Sequence, residues 1–144
     1  MKTLIIISTL FLLASTSSIL FAKESNAVTL ITLSNMDSYI KQNSSDKPLV
    51  INLSSTNKEC KPCLNNNRSM TEAVKNLQGS WNIATIYINP WQNIFKQKEF
   101  VKKYKISGMP TTLIFHKNEL LASQSGYIGN TTKVLKQFAK RKNI

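Results

Sequence analysis

Two short runs of branched, almost uninterrupted apolar residues, PLVINLS (48–54) and NIATIYI (82–88), most limit what this chain can fold into. Each is too short for an amphipathic helix, and each reads as a strand buried in a sheet. The flanking sequence supplies cover for such strands. AVTLITL (27–33) mixes β-branched and apolar residues as a further strand, after which Ser34 or Asn35 caps a helix carrying Met36, Tyr39 and Ile40. From Cys63 onward, Leu64, Met70, Ala73, Val74 and Leu77 follow helical spacing closed by Gly79. A turn at NPWQN leads to a helix around 95–104 with Phe95, Phe100, Val101 and Tyr104, and Trp91 and Phe95 are expected in the core. TTLIFH (111–116) and ELLASQSGY (119–127), joined by KN, form a hairpin. Asn130 or Thr131 then opens a last helix whose apolar face is Val134, Leu135, Phe138 and Ala139. The order βαβαβαββα predicts an α/β fold, a mixed central sheet flanked by helices in one domain. With 144 residues, 42% of them hydrophobic, the chain has the material for one core.

The first residues have a different character. MKTLIIISTLFLLASTSSILFA places one early charge, Lys2, before an apolar run and then small, hydroxylated residues, the layout of a secretory signal peptide over 1–22. Cleavage follows Ala22 or Ala27; the second fits the small-residue rule better, with Ser25 two places before it, and leaves a domain of 28–144. An uncleaved anchor is the alternative. The expected location is therefore outside the cytoplasm.

Lys and Arg number 19 against 7 Asp and Glu, a formal net charge of +12. Such a balance favours anionic surfaces. The basic residues are scattered, however, and their densest groups, KQKEFVKKYK (96–105) and KQFAKRK (136–142), lie on helical patterns. They read as solvated helix faces, and no nucleic acid is expected as a partner.

The two cysteines, Cys60 and Cys63, fall where a strand hands over to a helix N-terminus, with Pro62 in an early helical position that tolerates its missing N–H. A bridge between residues so close in sequence closes almost no loop and gains little stability. A closed zinc site needs about four protein ligands, and His116 is the one histidine, at a strand end; two-coordinate copper(I) on the cysteines stays open. A redox pair fits the spacing: one thiolate attacks and the second thiol resolves. At the helix start Cys60 meets the positive end of the dipole, and Lys58 and Lys61 add charge that Glu59 opposes, so a lowered Cys60 pKa is expected.

CKPC after a strand, ISGMPTTLIF (106–115), and Gly126 closing the last strand together resemble the thioredoxin family, from about Val28 to Lys142. The resemblance implies a thioredoxin-like fold and a thiol:disulfide oxidoreductase, with Cys60 the nucleophile, Cys63 the resolving thiol, and Glu59, Lys61 and Pro62 as neighbours. It implies a cis bond before Pro110, with Met109, Pro110 and Thr111 forming the turn that docks substrate. No cofactor beyond the Cys60–Cys63 disulfide and no metal is implied. The implied partners are protein thiols and disulfides, with a membrane electron-transfer or oxidase partner, and the protein is expected to be a monomer in the periplasm.

Four departures from the family pattern bear on activity. Glu59 stands where thioredoxins usually carry tryptophan, and the connector before Cys60 is about two residues longer. Arg68 occupies the place of the kinking proline in the active-site helix. Asn52 lies nearest the position of the buried carboxylate, and an amide cannot take a proton, so the Cys63 proton must leave through water, Glu59 or substrate. Pro62 resembles reductants more than oxidants, so a reductant is the first expectation. The alternative is a non-catalytic binding module for copper(I) or an acidic protein partner.

Overall fold

The computed structural model describes residues 27–144; the leader read over 1–22 lies outside them, and with it the choice between the two cleavage points. The central strand is β2 (Leu49–Ser54), with all six residues buried. It pairs in parallel with β3 (Asn82–Tyr87) and antiparallel with β4 (Thr111–His116). Outside these lie β1 (Thr29–Leu30), parallel to β3, and β5 (Glu119–Ser125), antiparallel to β4, giving the order β1-β3-β2-β4-β5. This is the mixed five-stranded sheet of a thioredoxin-like α/β fold. The β4–β5 connection is the expected two-residue turn, and Lys117 and Asn118 both have positive φ, 51° and 65°. That is the geometry whose twist suits a tight hairpin.

Alternation along the strands separates two cores. Leu49, Ile51, Leu53, Ile86, Leu113 and Phe115 face Met36 and Ile40 of α1 (Met36–Asn43) and Tyr104, which follows α3 (Lys98–Lys103). Val50, Ile83 and Ile114 face the other way, onto Met70 and Ala73 of α2 (Lys61–Asn76) and Leu135 and Phe138 of α4 (Thr131–Lys142). Each fully buried Leu or Ile contributes about 1.5–3 kcal/mol, so β2 supplies both cores at once. Asn130 caps α4, its side chain accepting the Lys133 N–H at 2.9 Å.

Two expectations are corrected. The strand read over 27–33 shrinks to Thr29–Leu30: the Ile31 N–H still reaches Thr85 O at 3.0 Å, but Thr32 then opens a 3-10 turn, Leu33–Asn35, its N–H bonded to Asn35 Oδ1 at 2.9 Å. A local side-chain bond wins over strand extension there. The helix expected around 95–104 divides into a 3-10 helix, Trp91–Lys96, and α3. With a three-residue repeat only Ile94 points inward, at 0% exposure; Phe95 is 38% exposed and Trp91 is half-buried, their rings meeting edge-on at 6.2 Å.

Asp37 ties α1 to the end of α3. Its carboxylate accepts from Tyr104 OH at 2.5 Å and from Lys103 Nζ at 3.0 Å. The bond from Tyr104 and then that from Lys103 hold the Asp37 carboxyl below its ordinary value of 3.8. This contribution is complete above the unfolded carboxylate's titration and is lost as pH falls through the lower folded value. The side chain is 66% exposed, so the loss stays below about 1 kcal/mol. Urea denaturation between pH 6 and pH 2 should show a falling midpoint on the acid side, and Asp37→Asn should flatten that fall; an unchanged acid slope in the variant would show that the clasp carries no stability.

Candidate active site

β2 ends at Ser54, and after a six-residue connector the chain enters α2, a helix of 16 residues with no acidic side chain in its first turn. Cys60 is the residue before the helix, and Pro62 lies in its first two positions, where a missing N–H costs nothing. Cys60 and Cys63 are joined, Sγ–Sγ 1.99 Å and Cα–Cα 5.2 Å. The Cys60 C=O receives the Leu64 N–H at 3.1 Å, which aligns the pair with the first helical turn. The two sulfurs are not equivalent: Cys60 is 6% exposed and Cys63 is 0% exposed. Lys58, Glu59, Lys61 and Pro62 are exposed around them. A thiolate released at Cys60 therefore meets the positive end of α2, with Lys58 and Lys61 adding to that charge and Glu59 opposing it.

The long connector is folded on itself and clasped from the side. Asn57 N–H bonds Ser55 Oγ at 3.1 Å, and Asn57 Oδ1 accepts Glu59 N–H at 3.0 Å. Asn89, just beyond β3, receives Ser55 Oγ–H and, at 3.2 Å, Thr56 N–H on its Oδ1, and donates from Nδ2 to Thr56 Oγ1 at 2.9 Å. No feature of the sequence singles out Asn89; its role follows from β3 ending beside β2.

The Met109–Pro110 peptide is cis, as is Asn89–Pro90. Thr111, the next residue, opposes Leu53 in the β2–β4 register, so Met109, Pro110 and Thr111 reach the same end of the sheet as the cysteine pair. Pro110 O accepts the Gly126 N–H at 2.7 Å, with Gly126 at φ +92°. Thr111 Oγ1 bonds Gly108 O at 2.6 Å and Ser125 Oγ at 3.0 Å. Met109 is half-buried, and its backbone N–H and C=O make no hydrogen bond among the described residues.

The family model for thioredoxin matches residues 27–141. The chain belongs to the thioredoxin family. Among solved structures, chloroplastic thioredoxin z is similar at a TM-score of 0.59 and 19% identity, covering 78% of this chain and 95% of its own. Mitochondrial thioredoxin 3 from Saccharomyces cerevisiae, in its oxidised form, gives 0.56 and 20%, covering 79% and 94%. Oxidised thioredoxin from Plasmodium falciparum gives 0.56 and 19%, covering 81% and 98%. At these identities the likeness shows the fold. A search of curated proteins gave no significant match. A thioredoxin-family domain with a close Cys-x-x-Cys pair is consistent with thiol:disulfide oxidoreductase activity, and thioredoxin-fold proteins act on protein thiols and disulfides.

Below Cys63 this family member has amides and hydroxyls. Asn52 is fully buried; its Oδ1 accepts from Asn66 Nδ2 at 2.9 Å, and its Nδ2 donates to Asn67 Oδ1 at 3.2 Å and Thr85 Oγ1 at 3.4 Å. Ser54 Oγ donates to Cys63 O at 3.4 Å. Asn66 and Asn67 lie one helical turn beyond Cys63 and escaped the sequence reading, because polar residues on a helix ordinarily face solvent. Among the described residues no group of three or more His, Cys, Asp or Glu could hold a metal, and His116 ends β4.

Asn89→Ala removes three hydrogen bonds from the connector and leaves Ser55 and Thr56 without their partner. The expected cost is about 1–3 kcal/mol in equilibrium unfolding, with faster cleavage of the 55–59 connector by a broad-specificity protease. Wild-type stability and unchanged proteolysis in this variant would mean that the connector is held by the rest of the fold.

Proposed function

We propose that the protein is an exported thiol:disulfide oxidoreductase acting on protein substrates, in the direction of reduction. The observation that carries this reading is the asymmetry of the pair: Cys60 keeps a small exposed fraction, 6%, just before the positive end of a long helix, while Cys63 is sealed at 0%. In the dithiol form the Cys60 thiolate attacks a substrate disulfide, forming a mixed disulfide and releasing one substrate thiolate. Cys63 then loses its proton and attacks Cys60 Sγ, forming the intramolecular bond and releasing the second substrate thiolate. Two electrons pass from the pair to the substrate, and the proton from Cys63 balances one released thiolate.

Met109, Pro110 and Thr111 form the docking turn in this reading. Support comes from their place at the cysteine end of the sheet and from the uncommitted backbone of Met109, which can pair with an extended substrate segment. Glu59, Lys61 and Pro62 border the approach to Cys60, and the half-buried Trp91 and exposed Phe95 and Tyr87 add apolar surface for a protein partner. The leader-like start supports export to the periplasm. There a reductant requires electrons from a membrane partner, and the disulfide itself serves in place of a separate cofactor. The protein acts as a monomer, its lysines solvating helix faces instead of binding nucleic acid.

Equilibrating the domain in defined thiol buffers tests both activity and direction. A potential near the roughly −270 mV of thioredoxin identifies a reductant, and one near about −120 mV reverses the direction. Cys63→Ser should accumulate a mixed disulfide through Cys60 that the native protein resolves. Absence of any reversible disulfide would remove the enzymatic reading.

A further inference from the structure

The face of the sheet beneath α2 changes character along its length. Under the C-terminal half of the helix it is apolar, with Val50, Ile83 and Ile114 against Met70 and Ala73. Two residues nearer the cysteine end of the sheet, the same face carries Thr85, Asn52 and Thr112, which stand side by side because Asn52 is in register with Thr85 on one flank and Thr112 on the other. Their exposures are 1%, 0% and 1%, and α2 lays Cys63 and Asn66, both 0% exposed, over the polar end. An interface that is otherwise a dry core thus has a hydrophilic compartment on the side of the resolving cysteine.

The amides in this compartment have a fixed direction. Asn67 Nδ2 donates to the Ser55 carbonyl at 3.0 Å, which can only accept, so Asn67 Oδ1 must face Asn52. Asn52 therefore offers Nδ2 to Asn67 and Oδ1 to Asn66, and Asn66 must donate. The chain of donors forces Asn66 Oδ1 to the far end as an acceptor, where it is buried and unpartnered; Thr112 Oγ1 is buried and unpartnered as well. Both atoms belong to residues flanking Asn52: Asn66 bonds it directly, and Thr112 is its cross-strand neighbour, with Cβ atoms about 4.5–5.5 Å apart. Two orphaned polar groups on residues that both adjoin Asn52 are the kind of partners an internal water takes, since such a water needs two to four of them.

We infer that a single water molecule bridges Asn66 Oδ1 and Thr112 Oγ1 and hydrogen-bonds the Cys63 sulfur in the dithiol form. Asn66 Oδ1 can only accept, and in this arrangement the Thr112 hydroxyl, which can donate or accept, acts as the donor. Asn66 Oδ1 accepts one water hydrogen, the Thr112 hydroxyl donates to the water oxygen, and the second water hydrogen is left for Cys63. Cys63 lies three residues before Asn66, one turn away on the same helix face, and helical side chains lean back toward the N-terminus. The water thus donates to the Cys63 thiolate as it forms, an interaction that favours the charged state of a group otherwise sealed from solvent. Asn66 and Thr112 are positioning residues: they touch the water, and the water touches the sulfur. This inference rests on the oxidoreductase reading for its consequence, faster resolution of the mixed disulfide, although the site itself does not.

The test is a pH titration of thiolate absorbance in a Cys60→Ser background, where Cys63 is the one thiol. Asn66→Leu and Thr112→Val should each raise the midpoint of Cys63 ionisation by about one pH unit, a tenfold change in the equilibrium, and Thr112→Ser, which keeps the hydroxyl, should restore it. Midpoints unmoved by both substitutions would overturn the proposal. So would a Thr112→Ser midpoint as high as that of Thr112→Val, because it would make the effect one of packing. A crystal structure of the native oxidised protein should show a water within hydrogen-bond distance of both Asn66 Oδ1 and Thr112 Oγ1, and its absence would also refute the site. Because Cys63 is titrated without any substrate, these outcomes stand apart from a failure of disulfide exchange, which would sink the enzymatic reading alone.

Discussion

Everything in this molecule hangs from the burial of β2. The strand is flanked by β3 and β4, and its two faces serve two separate cores. A strand in that position has no freedom to shift register, since a slip of one residue would exchange Leu49, Ile51 and Leu53 for Val50, Asn52 and Ser54 on the α1 side. The fixed register decides where Ser54 ends and hence where the connector and α2 begin. It also decides which residue of β4 stands opposite, and so brings the Pro110 turn to the cysteine end of the sheet.

The surroundings of the pair divide the work between electrostatics and sealing. Cys60 has the helix terminus and exposed lysines on its outer side; Cys63 has the sheet. Between them the backbone is held by ordinary interactions: the Cys63 carbonyl takes a hydrogen from Ser54, and the connector is fastened through Asn89 to the end of β3. Position, more than any unusual side chain, makes the two sulfurs different.

Much of this was legible in the sequence because the relevant signals are local. The apolar runs at 48–54 and 82–88, the Lys117–Asn118 turn, the Asn130 cap and the Cys-x-x-Cys before a helical pattern each carry their meaning within a few residues. What escaped depends on partners distant in sequence. The β-branched run at 27–33 has the composition of a long strand, yet Asn35 captures the Thr32 N–H and turns the chain away. Phe95 fits a helical apolar face until the local repeat changes from 3.6 to three residues and presents Ile94 instead. Asn52 was visible as a departure, but Thr85 and Thr112 each look tolerable in their own strand; only the register lines them up as one polar row.

The uneven anchoring of the sheet also sets the order in which the molecule comes apart. β1 is two residues long, pairs along one edge, and carries Leu30 at 63% exposure, so its amide hydrogens belong to the regions that exchange through cheap local opening. The amides of β2 are covered by strands on both flanks and helices on both faces, and they exchange through opening of the whole domain. The cysteine pair is mounted on the second kind of structure. Fraying at the β1 edge therefore leaves the redox centre assembled, and its geometry lasts as long as the fold itself does.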